Sequence, residues 1–441
     1  MKIIVRLSLA IVCGFLVSIF GQTAKAQDEI KLEPPPEDPK APRVRMYSPD
    51  ETIQFFETKV NASPKNTFLL TKLGQAYLFS ARQTGNESHY GEAEKVFHQV
   101  LKLKPESVAV RAQLAAVFMA QHRFREALKM SQEVYRKDAK YTLALANIGD
   151  AFLELGQYDE AERSFQELKK KTPAGLPEVL ARLARIAELR GRTKEALQHL
   201  NEALEQEQAN KPHSPEIAWY HFRLGEVYFG CGQIENANKH LEASLKLRKD
   251  YVGALLALGQ VRAAQGRYRE AADLYEKAVA QKPDFDLIGD MGTLYGLAGN
   301  SSKAKQLEEK AISLVPEAKK IETEARHLAL FLADREIQLD LALESAQKEL
   351  KVREDVFAYD VLAWVLFKSG QTQAAWDASE KALRIGTRDA NFHFHAGLIA
   401  RKLGRLDKAR MHLEKALEIN PHFGFTNAND TRKALTELKS E

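Results

Sequence analysis

Cysteine is almost absent: Cys13 and Cys231 stand alone in 441 residues, too few for a disulfide framework or a multi-cysteine zinc site. Long apolar runs are absent too. The one uncharged apolar stretch near the start, Leu7 to Phe20, is 14 residues long, short of the roughly 20 that a spanning helix needs. Nor does one sign of charge dominate, since 64 basic side chains face 60 acidic ones along the whole chain. Nucleic acid needs a concentrated basic face, so no nucleic-acid partner is expected. The sequence contains no HExxH, no phosphate-binding glycine loop and no GxSxG. The usual marks of zinc proteases, nucleotide-binding enzymes and serine hydrolases are therefore missing.

What is present is helix-forming material. Hydrophobic residues make up 44% of the chain, and Ala, Leu, Glu, Lys and Arg together account for about half of it. Lys2 and Arg6 precede Leu7–Phe20, and Ala24-Lys25-Ala26 follows with small residues at signal-peptidase spacing. Residues 1–26 read as a secretory signal cleaved after Ala26, with an uncleaved inner-membrane anchor as the alternative. Removing Lys2, Arg6 and Lys25 leaves 61 basic against 60 acidic groups and only Cys231. A cysteine-poor, helix-rich exported chain suits a bacterial periplasm, and the mature chain is expected not to insert in the membrane. Pro34, Pro35, Pro36, Pro39 and Pro42 then make 27–47 an extended tether. Ser48-Pro49-Asp50-Glu51 reads as the start of a leading half-repeat helix over 48–65.

A period near 34 runs through the rest. Ala93, Ala127, Ala161, Ala196, Ala237, Ala271, Ala304, Ala342, Ala375 and Ala409 form a row in which seven of nine intervals fall within one residue of 34. A second small-residue row precedes it: Gly74, Ala115, Gly149, Ala184, Gly225, Gly259, Gly292, Ala329, Ala363 and Gly397. In eight repeats the two rows are 12 residues apart. Small residues let two helix backbones approach closely. Between the rows recur Gly156, Gly191, Gly232, Gly266, Gly299, Gly370 and Gly404, the residue expected where a helix ends in a left-handed turn. Pro105, Pro173, Pro283, Pro316 and Pro421 close several second helices. Each unit is helix, turn, helix, turn.

These rows resemble the tetratricopeptide repeat. In 148–173 the family positions are held by Ile148, Gly149, Phe152, Gly156, Ala161, Phe165 and Pro173. The resemblance covers 66–421 and implies an all-α, right-handed superhelical solenoid of about ten helix-turn-helix units. A C-terminal capping helix is expected within 422–441. The layout is similar to bacterial exported proteins built almost wholly of such repeats. Glu308 departs from the pattern, replacing an aromatic in repeat seven.

In such a solenoid the repeat-defining residues serve packing, and the resemblance implies that the concave wall takes peptides or partner helices. Aligned on the repeat, that wall carries Trp219, Phe222 and Phe229 in repeat five, Phe357, Trp364 and Phe367 in repeat nine, and Phe394 and Arg401 in repeat ten. Broad rings bury much area at little rotamer cost, so these are the expected partner-binding residues. Chaperone-binding relatives grip a carboxylate with Lys and Asn; Asp150 stands where that Asn would be, so no such clamp is expected. His393 and His395 are two apart and must point away from each other on a helix. We expect no catalytic residue, no metal and no cofactor. The expected role is a non-enzymatic protein-interaction scaffold in the cell envelope, with a permanent accessory subunit of an envelope secretion, transport or wall-synthesis complex as the alternative.

Overall fold

The computed structural model describes residues 48–84, 86–212 and 214–439. The signal and the tether expected over 1–47 lie outside them. Among the described residues all regular structure is helical, and no helix is long and apolar enough to cross a membrane. They fall into two compact units, 48–152 and 153–439.

The smaller unit begins with α1 (Pro49–Ala62). There follow α2 (Thr67–Thr84) with α3 (Ser88–Leu103), α4 (Val108–Ala120) with α5 (Phe124–Lys137), and α6 (Thr142–Glu154), in whose last turn the boundary falls. Ser48 caps α1 as its sequence requires: its hydroxyl accepts from the Glu51 amide at 3.2 Å, and its own amide donates to Glu51 Oε2 at 2.8 Å.

The larger unit opens with α7 (Tyr158–Lys171) and continues as α8 (Pro177–Leu189) with α9 (Thr193–Asn210), and α10 (Glu216–Gly230) with α11 (Ile234–Leu247). Next come α12 (Val252–Ala264) with α13 (Tyr268–Gln281), and α14 (Phe285–Leu297) with α15 (Ser301–Ser313). A short α16 (Val315–Ala318) leads into α17 (Ala325–Arg335) with α18 (Leu339–Val352). The unit ends with α19 (Val356–Lys368) and α20 (Thr372–Leu383), α21 (Ala390–Lys402) and α22 (Leu406–Ile419), and a final α23 (Asn427–Glu437).

The two small-residue rows meet where paired helices cross. Nine of the ten row alanines are fully buried, Ala304 being the half-buried exception. A methyl group on Gly74 would lie 2.5 Å from the Phe97 ring, and one on Gly397 would lie 2.7 Å from Leu413. Large residues fill the space beside these crossings: Phe97, Phe165 and Phe331 are all fully buried, each worth roughly 2–3 kcal/mol of hydrophobic stabilisation. The turns follow one pattern. At Gly266 (φ 75°) and Gly370 (φ 78°) the left-handed residue lets the next amide bond back across the last helical turn, Arg267 N to Arg262 O at 2.8 Å and Gln371 N to Leu366 O at 2.9 Å. Repeats two and eight lack the glycine, and His122 (φ 59°) and Glu336 (φ 54°) adopt that conformation in its place.

One feature is invisible in the period. The larger unit closes on itself after six repeats. The Tyr158 hydroxyl accepts from the Val356 amide at 2.8 Å, 198 residues away. Thr387 Oγ1 donates to Leu189 O at 2.7 Å, and Asn420 Nδ2 donates to Phe229 O at 2.8 Å. At the same seam Glu154 Oε2 lies 2.8 Å from Arg353 Nη1, both side chains buried. The starts of α19 and α21 and the segment before α23 thus pack on the turns after α6, α8 and α10.

Candidate functional site

The closure decides what happens to the aromatic wall. Phe222, Phe357, Trp364 and Phe394 are buried, at 0, 4, 6 and 4% exposure, so they do not form the open row of anchors expected from the sequence. The unit covers its own inner wall. Phe222 meets Tyr251 at 5.1 Å between centroids. Phe357 lies between Phe392 (5.4 Å, edge-on) and the Arg185 guanidinium (5.4 Å). Trp364 stacks on His395 at 4.2 Å and donates its indole N–H to Asp334 Oδ1 at 2.8 Å. Phe394 touches Phe423, from the segment before α23, at 5.8 Å. The other four residues are half-buried. Trp219 packs edge-on to Tyr220 (5.0 Å), and Phe367 stacks on Trp364 (5.5 Å). The Phe229 carbonyl takes the Asn420 bond, and Arg401 Nη1 pairs with Glu437 Oε2 of α23 at 2.6 Å.

Two recesses adjoin the buried wall of the larger unit. One is a cavity of about 80 Å³ between α8 and α10 on one side and α19 and α21 on the other, with Asn420 and Phe423 in its wall. Glu188 bridges Arg185 (3.1 Å) and Arg223 (2.8 Å) there, and Arg223 also pairs with Glu226. Burial pushes the Glu226 carboxyl up to about 7, against the pull of Arg223. Cys231 lines the same cavity, and burial raises its thiol.

The second recess is an open cleft of about 570 Å³, within the size range of peptide and ligand pockets. Its wall takes Gln260, Asp290, Thr293, Asp334, Leu398 and Phe425 from repeats six, seven, eight, ten and the segment before α23. Trp364 and Phe394 form part of its floor. Glu308, the departure from the repeat pattern, belongs here: it holds Arg335 Nε at 2.6 Å while that guanidinium covers the Phe331 ring at 3.8 Å. Of the eight expected residues the cleft therefore gathers two, and they contribute its base. Thr293, Leu398 and Phe425 were missed because the closing contacts, not the repeat register, turn them towards one space.

The HxH of repeat ten separates as helix geometry demands. His395 Nδ1 bonds Asp360 at 3.0 Å, whereas His393 Nδ1 faces His412 Nδ1 of α22 at 3.0 Å. Repeat five repeats the second arrangement, with His221 and His240 Nδ1 atoms 3.1 Å apart. The register could have found both pairs. His221 and His393 stand four residues before Gly225 and Gly397; His240 and His412 stand three after Ala237 and Ala409. Burial first, then the neighbouring imidazole and lysine, lowers His240 and His393 to about 4. Because these values lie below the unfolded value of about 6.5, the pairs stabilise the fold fully above that pH. Their contribution is lost as pH falls from there towards 4. Imidazole resonances of His240 and His393, followed by NMR, should titrate with midpoints near 4; midpoints near 6.5 would show the pairs are not formed.

This architecture is that of the helical-repeat proteins, in which hairpins stack in sequence on their neighbours, with the closing contacts of the larger unit added to that stacking. Profiles of the tetratricopeptide repeat match residues 118–186, 176–250, 222–284 and 390–423. The chain is a tetratricopeptide-repeat protein. A repeat-containing protein of Methanocaldococcus jannaschii, MJ1428, is 22% identical over 51% of this chain, and the match spans 47% of that relative. YpiA of Bacillus subtilis, also described as repeat-containing, is 22% identical over 78% of this chain and 71% of its own length. Among solved structures, PilW, a type IV pilus biogenesis factor, aligns at 20% identity and a TM-score of 0.43, over 48% of this chain and 94% of its own.

Proposed function

We propose that the protein is a non-enzymatic interaction scaffold that receives a segment of a partner protein in the 570 Å³ cleft of its larger unit. The observation that carries this reading is the cleft itself. Consecutive repeats and the segment before α23 converge on it, with apolar surface (Leu398, Phe425) beside carboxylates (Asp290, Asp334) and the ammonium of Lys368. A short extended segment placed there meets apolar and charged groups together, which gives both area and register. The work is done after export, in a bacterial cell envelope. The support for that location is the Lys2/Arg6, Leu7–Phe20 and Ala24–Ala26 pattern of the sequence.

Thr293 is exposed and lines the cleft without belonging to the buried core. Thr293→Arg should fill the cleft and lower partner recovery from cross-linked envelope extracts at least about tenfold, the effect of roughly 1.4 kcal/mol of lost binding, with an unchanged helical spectrum. A photo-cross-linker at 293 should give a discrete adduct, and one at the exposed outer residue Lys305 should not. Recovery unaffected by Thr293→Arg, or adducts at 305 alone, would move the binding surface out of the cleft.

A further inference from the structure

The two histidine pairs lie outside the cleft, partly buried between the two helices of a repeat, with His240 against Tyr228 and His412 against Trp376. Each joins the first and second helix of one repeat, at the same register, in repeats five and ten. We propose that each pair is a two-nitrogen site for a divalent metal ion of the copper class, bound through the two Nδ1 atoms with water completing the coordination.

The geometry is set by the helices. With metal–nitrogen bonds of about 2.0–2.1 Å, two adjacent ligand nitrogens stand about 2.9 Å apart in a square plane and about 3.3 Å apart in a tetrahedron. The observed separations fall between these limits, 3.1 Å midway in repeat five and 3.0 Å nearer the square-planar value in repeat ten. Copper(II) prefers tetragonal nitrogen sites and binds such donors more tightly than its first-row neighbours do. With the nitrogens this far apart, each metal–nitrogen bond would make an angle of about 40° with the N···N line, so each ring must turn by that order to aim its Nδ1 lone pair at a shared point. Protons balance without a partner. In the metal-free pair one Nδ1 carries the hydrogen that bonds the other; on binding, that ring holds its proton on Nε2 instead, and none is released.

No group of three or more His, Cys, Asp or Glu side chains gathers for a metal among the described residues, so each site is a two-ligand one. The repeat-ten pair opens into a surface recess whose wall also holds Asp407, Glu414 and the exposed Met411. Arg410, Lys415 and Glu418 line the same recess, with Lys415 paired to Glu418 at 2.8 Å, and Lys408 and Arg388 also act on this pair. The repeat-five pair has Lys239 beside it.

The test is titration of the full chain, freed of metal, with Cu2+ in a weakly competing glycine buffer. Calorimetry and the copper EPR spectrum are read on the same samples. Two equivalents are expected above the level kept by a variant lacking all four histidines, with EPR splitting from two nitrogens. His393→Gln or His412→Gln should remove one equivalent, and His221→Gln or His240→Gln the other. Helical circular dichroism at each step shows that the fold persists. Uptake equal to that of the four-histidine variant, or uptake that survives the single substitutions unchanged, would overturn the proposal and leave the pairs as hydrogen-bonded packing.

Discussion

Replacing Arg353 by Ala should cost the larger unit about 3–5 kcal/mol, the penalty for stranding buried carboxylates. Arg353 is 2% exposed, although it is among the longest side chains a protein has. Its guanidinium lies 2.8 Å from Glu154 and 2.9 Å from Glu349. Arg326 continues the chain of charges, at 2.8 Å from both Glu349 and Asp355. Asp355 in turn caps α19 by accepting from the Ala358 amide at 2.6 Å. Truncating Arg353 therefore removes the counter-charge of two carboxylates at once. Burial already raises Glu154, and removing Arg353 takes away the largest charge that opposes that shift. The double variant Glu154→Leu/Arg353→Met should recover most of the loss, since a packed apolar pair replaces a buried ion pair at little net cost. Urea unfolding measures both. A loss under about 1 kcal/mol for Arg353→Ala would place this side chain on the surface, where ion pairs contribute that little.

The second large effect concerns the small-residue row. Gly74→Val should destabilise the smaller unit by about 3 kcal/mol, the upper end of the usual cost of overpacking. Three atoms of the Phe97 ring lie within 2.9 Å of where its Cβ would be, and Phe97 is itself fully buried. A rigid ring held on all sides has nowhere to go. Gly91, inside α3, is the contrasting case, because nothing lies within 4 Å of a Cβ there. Gly91→Ala should raise stability by about 0.5–1 kcal/mol through its gain in helix propensity. Thermal unfolding of the two variants should shift in opposite directions. Equal shifts would mean that the small residues at the crossings are not there to permit close approach.

What could be read from the residues and what could not divide along a physical line. The alanine row, the small row before it, the glycine turns and the Ser48 cap are all local, set by residues within one repeat or between adjacent ones. Each has a period or a spacing that shows on the page. The closure joins repeats six units apart. Whether Tyr158 reaches Val356 depends on small rotations added up from repeat to repeat, and no single spacing records that sum. Hence Phe222, Phe357, Trp364 and Phe394 were assigned to an open wall that the unit in fact covers. The buried charges of the seam were a signal of sorts. Arg326 stands at the start of α17, beside the apolar run Leu328–Ala333, and Arg353 directly after α18, yet an arginine reads as exposed until its partners are known. The histidine pairs were legible by register, had the two repeats been overlaid.

Closure of the larger unit is the claim on which the cleft, the buried wall and the seam all depend, and one native cysteine makes it measurable. Cys231 adjoins Gly232, where a Cβ would lie 2.9 Å from Pro421 Cδ, almost two hundred residues along the chain. In a chain carrying Cys13→Ser and Pro421→Cys, mild oxidation should therefore form an intramolecular disulfide between 231 and 421. Mass spectrometry of the digested, unreduced protein would find the two peptides joined. If both thiols stay free, or pair only between separate molecules, the turns after α10 and the segment before α23 do not meet, and the closed unit described above is wrong.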